Sequence, residues 1–410
     1  MNSHNLFGRR FLQIKALMYI SVLVLLAFGC TSPVSTNASF TPSQAIATPA
    51  NNSNQTHIHP DPMITFSQTP MPAQIRGTLL FTDLHGIYIY DIPKNTLTTL
   101  SNDDTRMYNG VGKYKDSLYF LRTTDKKNDP KWPSGGQFGP FEIFKMQLNG
   151  DGLEQLTSGE YTVLHLSIAP NGDYLSFSTD SEKSNNRYQI FLWDLKDHTR
   201  KVIAQDQSNS FSTPIWSPNS KELVYFKNTF PSNITNPLIF DLQSGTSIEF
   251  APEGEITSTK LAWSPEGDQI TFGMTTKRGS GLYSYDINSK KITLMTSTPQ
   301  SPENIVWSPD GKMIVYELQK RDAVNNISIE LALLELATRK VSIIQEGELD
   351  GRYFSYNTVW SPDSKYIAFF THAGLGELEL NLVQVNNLDS YRLQIPGFYA
   401  DSVVWISPHQ

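Results

Sequence analysis

The most constraining feature of this chain is a five-residue phrase that keeps coming back. Its fullest copy is Trp307-Ser308-Pro309-Asp310-Gly311. Near-copies stand at Trp216-Ser217-Pro218-Asn219-Ser220, Trp263-Ser264-Pro265-Glu266-Gly267 and Trp360-Ser361-Pro362-Asp363-Ser364. A drifted copy is Ile168-Ala169-Pro170-Asn171-Gly172, and Trp405-Ile406-Ser407-Pro408 is cut short by the end of the chain. From 168 to 405, successive copies lie 44 to 53 residues apart. A period of that size, with room for four strands per unit, is the mark of a β-propeller.

The phrase has a local physical meaning. Ile305 to Trp307 form a short apolar strand. Pro309 lacks an N–H and fixes φ, so it stops ladder pairing. Asp310-Gly311 supplies the turn, because glycine accepts positive φ and aspartate bonds its own local backbone. Met313 to Tyr316 then read as a second strand covered on both faces. Each copy is thus a hairpin at the inner corner of a blade.

These residues resemble the TolB-type propeller repeat, which is also found in the propeller domains of prolyl oligopeptidases. The resemblance runs over about residues 77 to 408. It implies an all-β chain folded as a seven-bladed β-propeller, closed by pairing of N- and C-terminal strands. It implies little about activity, since the same blade serves scaffolds, ligand binders and enzymes.

The first 29 residues read as a targeting segment. Arg9, Arg10 and Lys15 precede an apolar run from Ala16 to Phe28, an n-region followed by an h-region. The run reaches Leu26-Ala27-Phe28-Gly29-Cys30, which resembles the bacterial lipobox, with Ala27 where leucine is commonest. That resemblance makes Cys30 the lipid attachment site and the protein an exported, membrane-anchored lipoprotein of the cell envelope. Cys30 is the only cysteine of the chain, so no intramolecular disulfide is expected. Residues 30 to 75 read as a disordered tether rich in Ser, Thr, Asn and Pro, reaching roughly 40 Å from an anchor. His57 and His59 within it are read as bland polar residues.

Residues 76 to 410 are expected to hold the propeller. Gly77 to Phe81, Gly86 to Asp91 and Thr96 to Leu100 supply three strands of the first blade. Val403 to Trp405 supply the missing innermost one, which removes an open edge. Tyr188 to Asp194 is read as an outer strand of blade 3. The aspartates ending third strands (Asp91, Asp194, Asp241 and Asp286) are read as turn formers. The motif residues Trp216, Trp263, Trp307, Trp360 and Trp405 are read as structural, since one aromatic recurring at one place in every blade packs blade on blade.

Function is expected on the face opposite the stereotyped corners, where the loops are long and varied. The longest, residues 123 to 140, carries Trp132. Residues 101 to 109 bring Arg106 and Tyr108. Residues 346 to 357 bring Arg352, Tyr353 and Tyr356, and residues 396 to 402 bring Tyr399 and Asp401. Blades 1, 2 and 7 are neighbours, so these residues are expected to form one aromatic, arginine-bearing binding patch.

The formal net charge is −7, and removal of residues 1–29, which hold three bases and no acids, leaves the body more acidic still. Nucleic acid is therefore not an expected partner. No Gly-x-Ser-x-Gly elbow exists, the histidines are scattered, and no catalytic residue, metal or cofactor is expected. The separate amino-terminal domain of TolB is not expected here either. The resulting expectation is non-catalytic binding of an envelope protein, peptide or glycan. The alternative is a propeller-type enzyme acting on glycans, a polysaccharide lyase resembling oligogalacturonate lyases or a glycoside hydrolase, with its residues spread over several blades.

Overall fold

The computed structural model describes residues 75–82, 86–102, 108–124, 141–158, 162–179, 187–232, 234–250, 254–256, 260–321, 327–348, 357–374, 377–396 and 402–407. Within them the ordered elements are strands, with no helix, and no helix is long and apolar enough to cross a membrane. The strands fall into seven antiparallel sheets, one per blade.

Blade 1 joins the two ends of the chain. Its inner strand is Ser402–Ile406, followed outward by Thr78–Thr82, Gly86–Asp91 and Thr96–Asn102. Ser402 pairs with Thr82 and Ile406 with Thr78. Blade 2 runs outward through Tyr108–Tyr114, Ser117–Thr123, Phe141–Gln147 and Glu154–Gln155. Blade 3 uses Val163–Ile168, Tyr174–Thr179, Gln189–Asp194 and Thr199–Ala204. Blade 4 uses Asn209–Trp216, Glu222–Thr229, Ile234–Asp241 and Thr246–Glu249. In blade 5 the inner strand comes in two pieces, Glu255–Ile256 and Ala262–Trp263, both paired to Gln269–Thr276, with Gly279–Asp286 and Ile292–Thr298 outside. Blade 6 is Glu303–Trp307, Met313–Arg321, Ile327–Glu335 and Val341–Glu348, and blade 7 is Val359–Trp360, Tyr366–Gly374, Glu377–Gln384 and Ser390–Pro396.

The core lies between blades. Each of seven apolar clusters is filled mainly from two neighbours. One joins Leu79, Phe81, Tyr88 and Tyr90 of blade 1 to Phe370, Leu380, Leu382 and Leu393 of blade 7. Another joins Val315, Leu331 and Leu333 of blade 6 to Trp360, Ile367 and Phe369 of blade 7. Since every blade buries both faces, its middle strands read as continuous apolar runs.

The corner phrase folds as its chemistry dictates. Ser308 N donates to Met313 O and Gly311 N to Ser308 O, both at 2.9 Å. Ser308 Oγ donates to Asp310 Oδ1 at 2.7 Å and accepts from Met313 N at 2.9 Å. Gly311 sits at φ 69°, and where the phrase ends in serine instead, Ser220 and Ser364 adopt φ 60°. Those two serines repay the strained backbone with a link between blades: Ser220 Oγ accepts from Asn171 N and Ser364 Oγ from Asp310 N, at 3.0 and 3.1 Å.

Trp263, Trp307 and Trp360 tie neighbouring blades together as well. Trp263 Nε1 donates to Ile215 O at 3.3 Å and Trp360 Nε1 to Val306 O at 3.2 Å. Each acceptor is the residue before the previous blade's tryptophan. Trp307 Nε1 donates instead to Thr271 Oγ1 at 3.0 Å, and Trp405 Nε1 to Arg76 O at 3.3 Å. Trp216, Trp263, Trp360 and Trp405 are buried, whereas Trp307 is half-buried.

The turn aspartates act as read from sequence. Asp194 Oδ1 accepts from Lys196 N and Asp197 N, Asp241 Oδ1 from Ser244 N, Asp286 Oδ1 from Ser289 N and Asp91 Oδ1 from Lys94 N. One assignment differs. Gln189–Asp194 is the third strand of blade 3, as its closing aspartate implies, and not the outer one, because Thr199–Ala204 pairs outside it. Its polar run Thr199-Arg200-Lys201 lacks the apolar alternation of an inner strand, which hides an edge strand from a sequence reading. Trp193 is consequently buried, with the Arg200 guanidinium 3.8 Å above its ring.

Candidate functional site

Inner strands run from the variable loops toward the corners, so their first residues lie at the loop face. There the ladders are broken repeatedly. In blade 2, Asn109 pairs with Leu121 and Val111 with Phe120, leaving Gly110 as an extra residue at φ 52°. In blade 3 the register slips between Val163 and His165. In blade 4, Thr213 and Pro214 stand against Tyr225 alone, and in blade 6 Asn304 and Ile305 against Tyr316 alone. Thr213, Asn304 and Asn357 have φ of 52°, 48° and 46°, each three residues before its motif tryptophan. Positive φ is tolerated by asparagine but is a genuine outlier for a β-branched threonine. Bulges and strained residues of this kind concentrate beside functional sites, where they re-aim side chains.

The bulges are accompanied by polar pairs that bridge the inner and second strands. Thr82 Oγ1 and Ser402 Oγ lie 3.2 Å apart in blade 1. In blade 3, His165 Nδ1 and Ser178 Oγ are 2.8 Å apart. In blade 4, Asn228 Nδ2 donates to Ser212 Oγ and Ser210 O at 3.3 and 3.4 Å. In blade 6, Asn304 Nδ2 donates to Glu317 Oε2 at 2.7 Å, and Glu317 is 1% exposed. Glu303, opposite Glu317 in the ladder, has its carboxyl pushed up by burial, which the Lys260 charge opposes. The result is a polar collar at the loop-face end of the ring.

Three buried polar atoms at this level have no hydrogen-bond partner among the described residues: Asn209 Oδ1, Ser301 Oγ and Thr358 Oγ1. All three lie at or just before the first residue of an inner strand, on the passages between blades 3 and 4, 5 and 6, and 6 and 7. Buried polar atoms are nearly always paired, so three orphans on one face point to a ligand or water that satisfies them. Further out, the Arg187 guanidinium lies 4.1 Å above the Phe230 ring. Phe230 and Ile234 are 40% and 55% exposed, giving blade 4 an apolar ledge on the same face.

Burial holds the His165 imidazole down at about 4, below its ordinary 6.5. Between those values the folded protein keeps His165 neutral while the unfolded chain takes up a proton, so stability falls as pH drops from about 6.5 toward 4. The partial exposure of the residue trims the effect to about 1–2 kcal/mol between pH 7 and 5. Denaturant titrations at the two pH values check this. His165→Gln is expected to lose less stability than the wild type on acidification, and an identical loss in both would sink the assignment.

Of the sequence-derived patch, only Tyr108 falls among the described residues. It opens the inner strand of blade 2, paired with Arg122 and next but one to the Gly110 bulge. Arg106, Trp132, Arg352, Tyr353, Tyr356, Tyr399 and Asp401 lie outside the described residues, as does Cys30. The structure thus adds a collar on blades 1 to 4, 6 and 7 that sequence reasoning missed, and its one legible signal was Gly110, Asn304 and Asn357 three or four residues before the end of an inner strand.

A ring of seven four-stranded antiparallel sheets, closed by its own termini, makes this protein a β-propeller. The TolB beta propeller domain matches residues 140–408, and the chain belongs to that family. Among curated proteins, dipeptidyl-peptidase 5 of Porphyromonas gingivalis is 23% identical over 298 residues, which cover 60% of this chain and 42% of that protein. The chain thus spans less than half the length of that relative. Among solved structures, an oligogalacturonate lyase in complex with manganese gives a TM-score of 0.56 at 12% identity, covering 77% of this chain and 83% of the lyase. The periplasmic gluconolactonase of Pseudomonas aeruginosa gives 0.55 at 10% identity, covering 81% of this chain and 99% of that one. At these identities the likeness is one of fold.

Proposed function

We propose that this protein is a non-catalytic binding lipoprotein of the bacterial cell envelope. Cys30 carries the lipid, residues 31 to 74 form the tether, Ile75 already being buried in the propeller core, and the loop face takes up an envelope protein, a peptide or a glycan. The observation that carries this reading is the collar: bulged inner strands, left-handed Thr213, Asn304 and Asn357, and three orphaned buried polar atoms all belong to one face. By sequence, the long loops with Trp132, Tyr353 and Tyr399 are assigned to the same face. Rigid blades bearing adaptable loops are a binding architecture, and aromatic and arginine side chains are suited to peptides and sugars. An envelope location is supported by the export-type amino terminus and by the periplasmic neighbour among the solved structures.

A thermal-shift screen of the whole chain against oligosaccharides and peptides tests the proposal. A ligand at a hundred times its Kd adds about 2.7 kcal/mol, which a melting curve resolves. Trp132→Ala and Tyr353→Ala are expected to lose that shift while melting unaided as the wild type does. Binding unchanged in both variants would move the site off these loops. Turnover of a bound glycan would replace the binder with an enzyme.

A further inference from the structure

We infer that the corner-side rim of blades 3 to 6 is a docking surface for an anionic lipid bilayer. Three outer strands begin with an exposed pair of cations and exposed aliphatics, the pair lying two residues further into the strand in blade 3 than in blades 5 and 6. In blade 3 it is Arg200-Lys201-Val202, in blade 5 Lys290-Lys291 with Leu294, and in blade 6 Arg339-Lys340-Val341 with Ile343. Val202, Leu294, Val341 and Ile343 are 37%, 46%, 39% and 45% exposed, and blade 4, between them, adds Ile248 at 52%. At the turn position of Lys290-Lys291 and Arg339-Lys340, blade 3 carries His198-Thr199 with its cations following directly, and the remaining blades carry Asn95-Thr96, Gly152-Leu153, Gly245-Thr246 and Leu388-Asp389. The cationic pairs are therefore confined to one side of the ring.

The acids of these turns keep their charge but are outnumbered, since Lys196, Arg200, Lys201, Lys290, Lys291, Arg339 and Lys340 face Asp194, Asp197, Asp241, Asp286 and Glu335. Asp194 and Asp286 accept from backbone N–H groups of their own turns, and Glu335 from Thr338 Oγ1. Asp197 and Glu335 are exposed, Asp194 and Asp286 partly buried. Between blades 3 and 4 the cations line a groove of about 230 Å³ formed by Tyr174, Leu192, Asp194, Thr199, Arg200, Lys201 and Leu242. Cations for phosphate beside aliphatics for the acyl boundary are the two chemistries of an anionic bilayer surface, whereas a free polyanion would leave the aliphatics unused.

The entry point of the chain agrees. Trp405 Nε1 holds Arg76 O and Ile92 N holds Gly77 O, so the described propeller begins on the corner side, where these turns lie. This inference rests on the lipid-anchor reading. It implies that the anchored propeller turns its corner-side rim to the membrane and its loop face away.

The test is local hydrogen exchange on the full chain in phosphatidylglycerol and in phosphatidylcholine vesicles. On phosphatidylglycerol, exchange in 199–204, 292–298 and 341–348 is expected to slow about tenfold and to recover in 0.5 M salt, where charge attraction is screened. The triple variant Lys201→Gln/Lys291→Gln/Lys340→Gln should lose that protection while its inner strands exchange as before. Equal exchange on both lipids would overturn the proposal. So would protection that rises with protein concentration on either lipid, which would mark a second copy of the chain. Flotation of wild-type and Cys30→Ser chains scores the anchor separately. A failed anchor shows as lost flotation, and failed docking as unprotected outer strands on chains that float.

Discussion

Trp360→Ala is expected to cost about 4 kcal/mol of stability, the largest single effect in the propeller. The indole is 4% exposed and packs with Val315, Ile329, Leu331 and Leu333 of blade 6 and Ile367, Phe369 and Val383 of blade 7. Truncation opens a cavity in that seam and frees Val306 O from its Nε1 donor. Trp360→Phe refills most of the space and forfeits mainly the hydrogen bond, about 1 kcal/mol. Denaturant titration of the three proteins measures the ladder. A loss below about 1 kcal/mol for the alanine variant would mean that the seam does not depend on its tryptophan, and the structural reading of the motif would fall with it.

Gly273→Ala should be the next most damaging change, although it adds only a methyl group. A Cβ at Gly273 would stand 1.9 Å from Pro302 O and 2.7 Å from Ser301 Oγ. A serine rotamer can turn aside, but a backbone carbonyl cannot, so the passage from blade 5 to blade 6 must shift. Overpacking of this kind costs about 3 kcal/mol. Gly245 is the control, since a Cβ there meets nothing within 4 Å and only its φ of 68° opposes alanine. That strain alone costs about 1 kcal/mol. Melting curves that place the two variants together would show that the 301–302 passage yields to a methyl group. The same passage holds the orphaned Ser301 Oγ, so Gly273→Ala should also weaken any ligand seated on the collar.

These two glycines show why some of the molecule was legible before folding and some was not. Gly245 belongs to a turn whose residues announce themselves, and its conformation follows from neighbours in sequence. Gly273 stands where other blades place Phe226, Glu317 or Phe370, and its reason is a segment from the next blade crossing over it. In the same way Ser217, Ser264, Ser308 and Ser361 were readable as corner residues, whereas the bulges at Gly110, Thr213 and Asn304 exist only where an inner strand meets its partner out of step. Asn304 bonding to the buried Glu317 leaves no trace in composition or spacing.

The sequence by itself determined the seven-bladed ring, its closure between residues near 78 and 405, and the face that carries the variable loops. Those features are encoded by short-range chemistry repeated at a fixed period, and repetition makes even weak local signals unambiguous. Only the tertiary structure decided which strand of blade 3 is outermost, where the inner strands bulge, which polar atoms are left unsatisfied, and which rim gathers the cationic pairs. Each of these depends on pairing and packing between segments far apart in the chain, and the free energy of such contacts is set by what arrives opposite a residue rather than by what stands beside it.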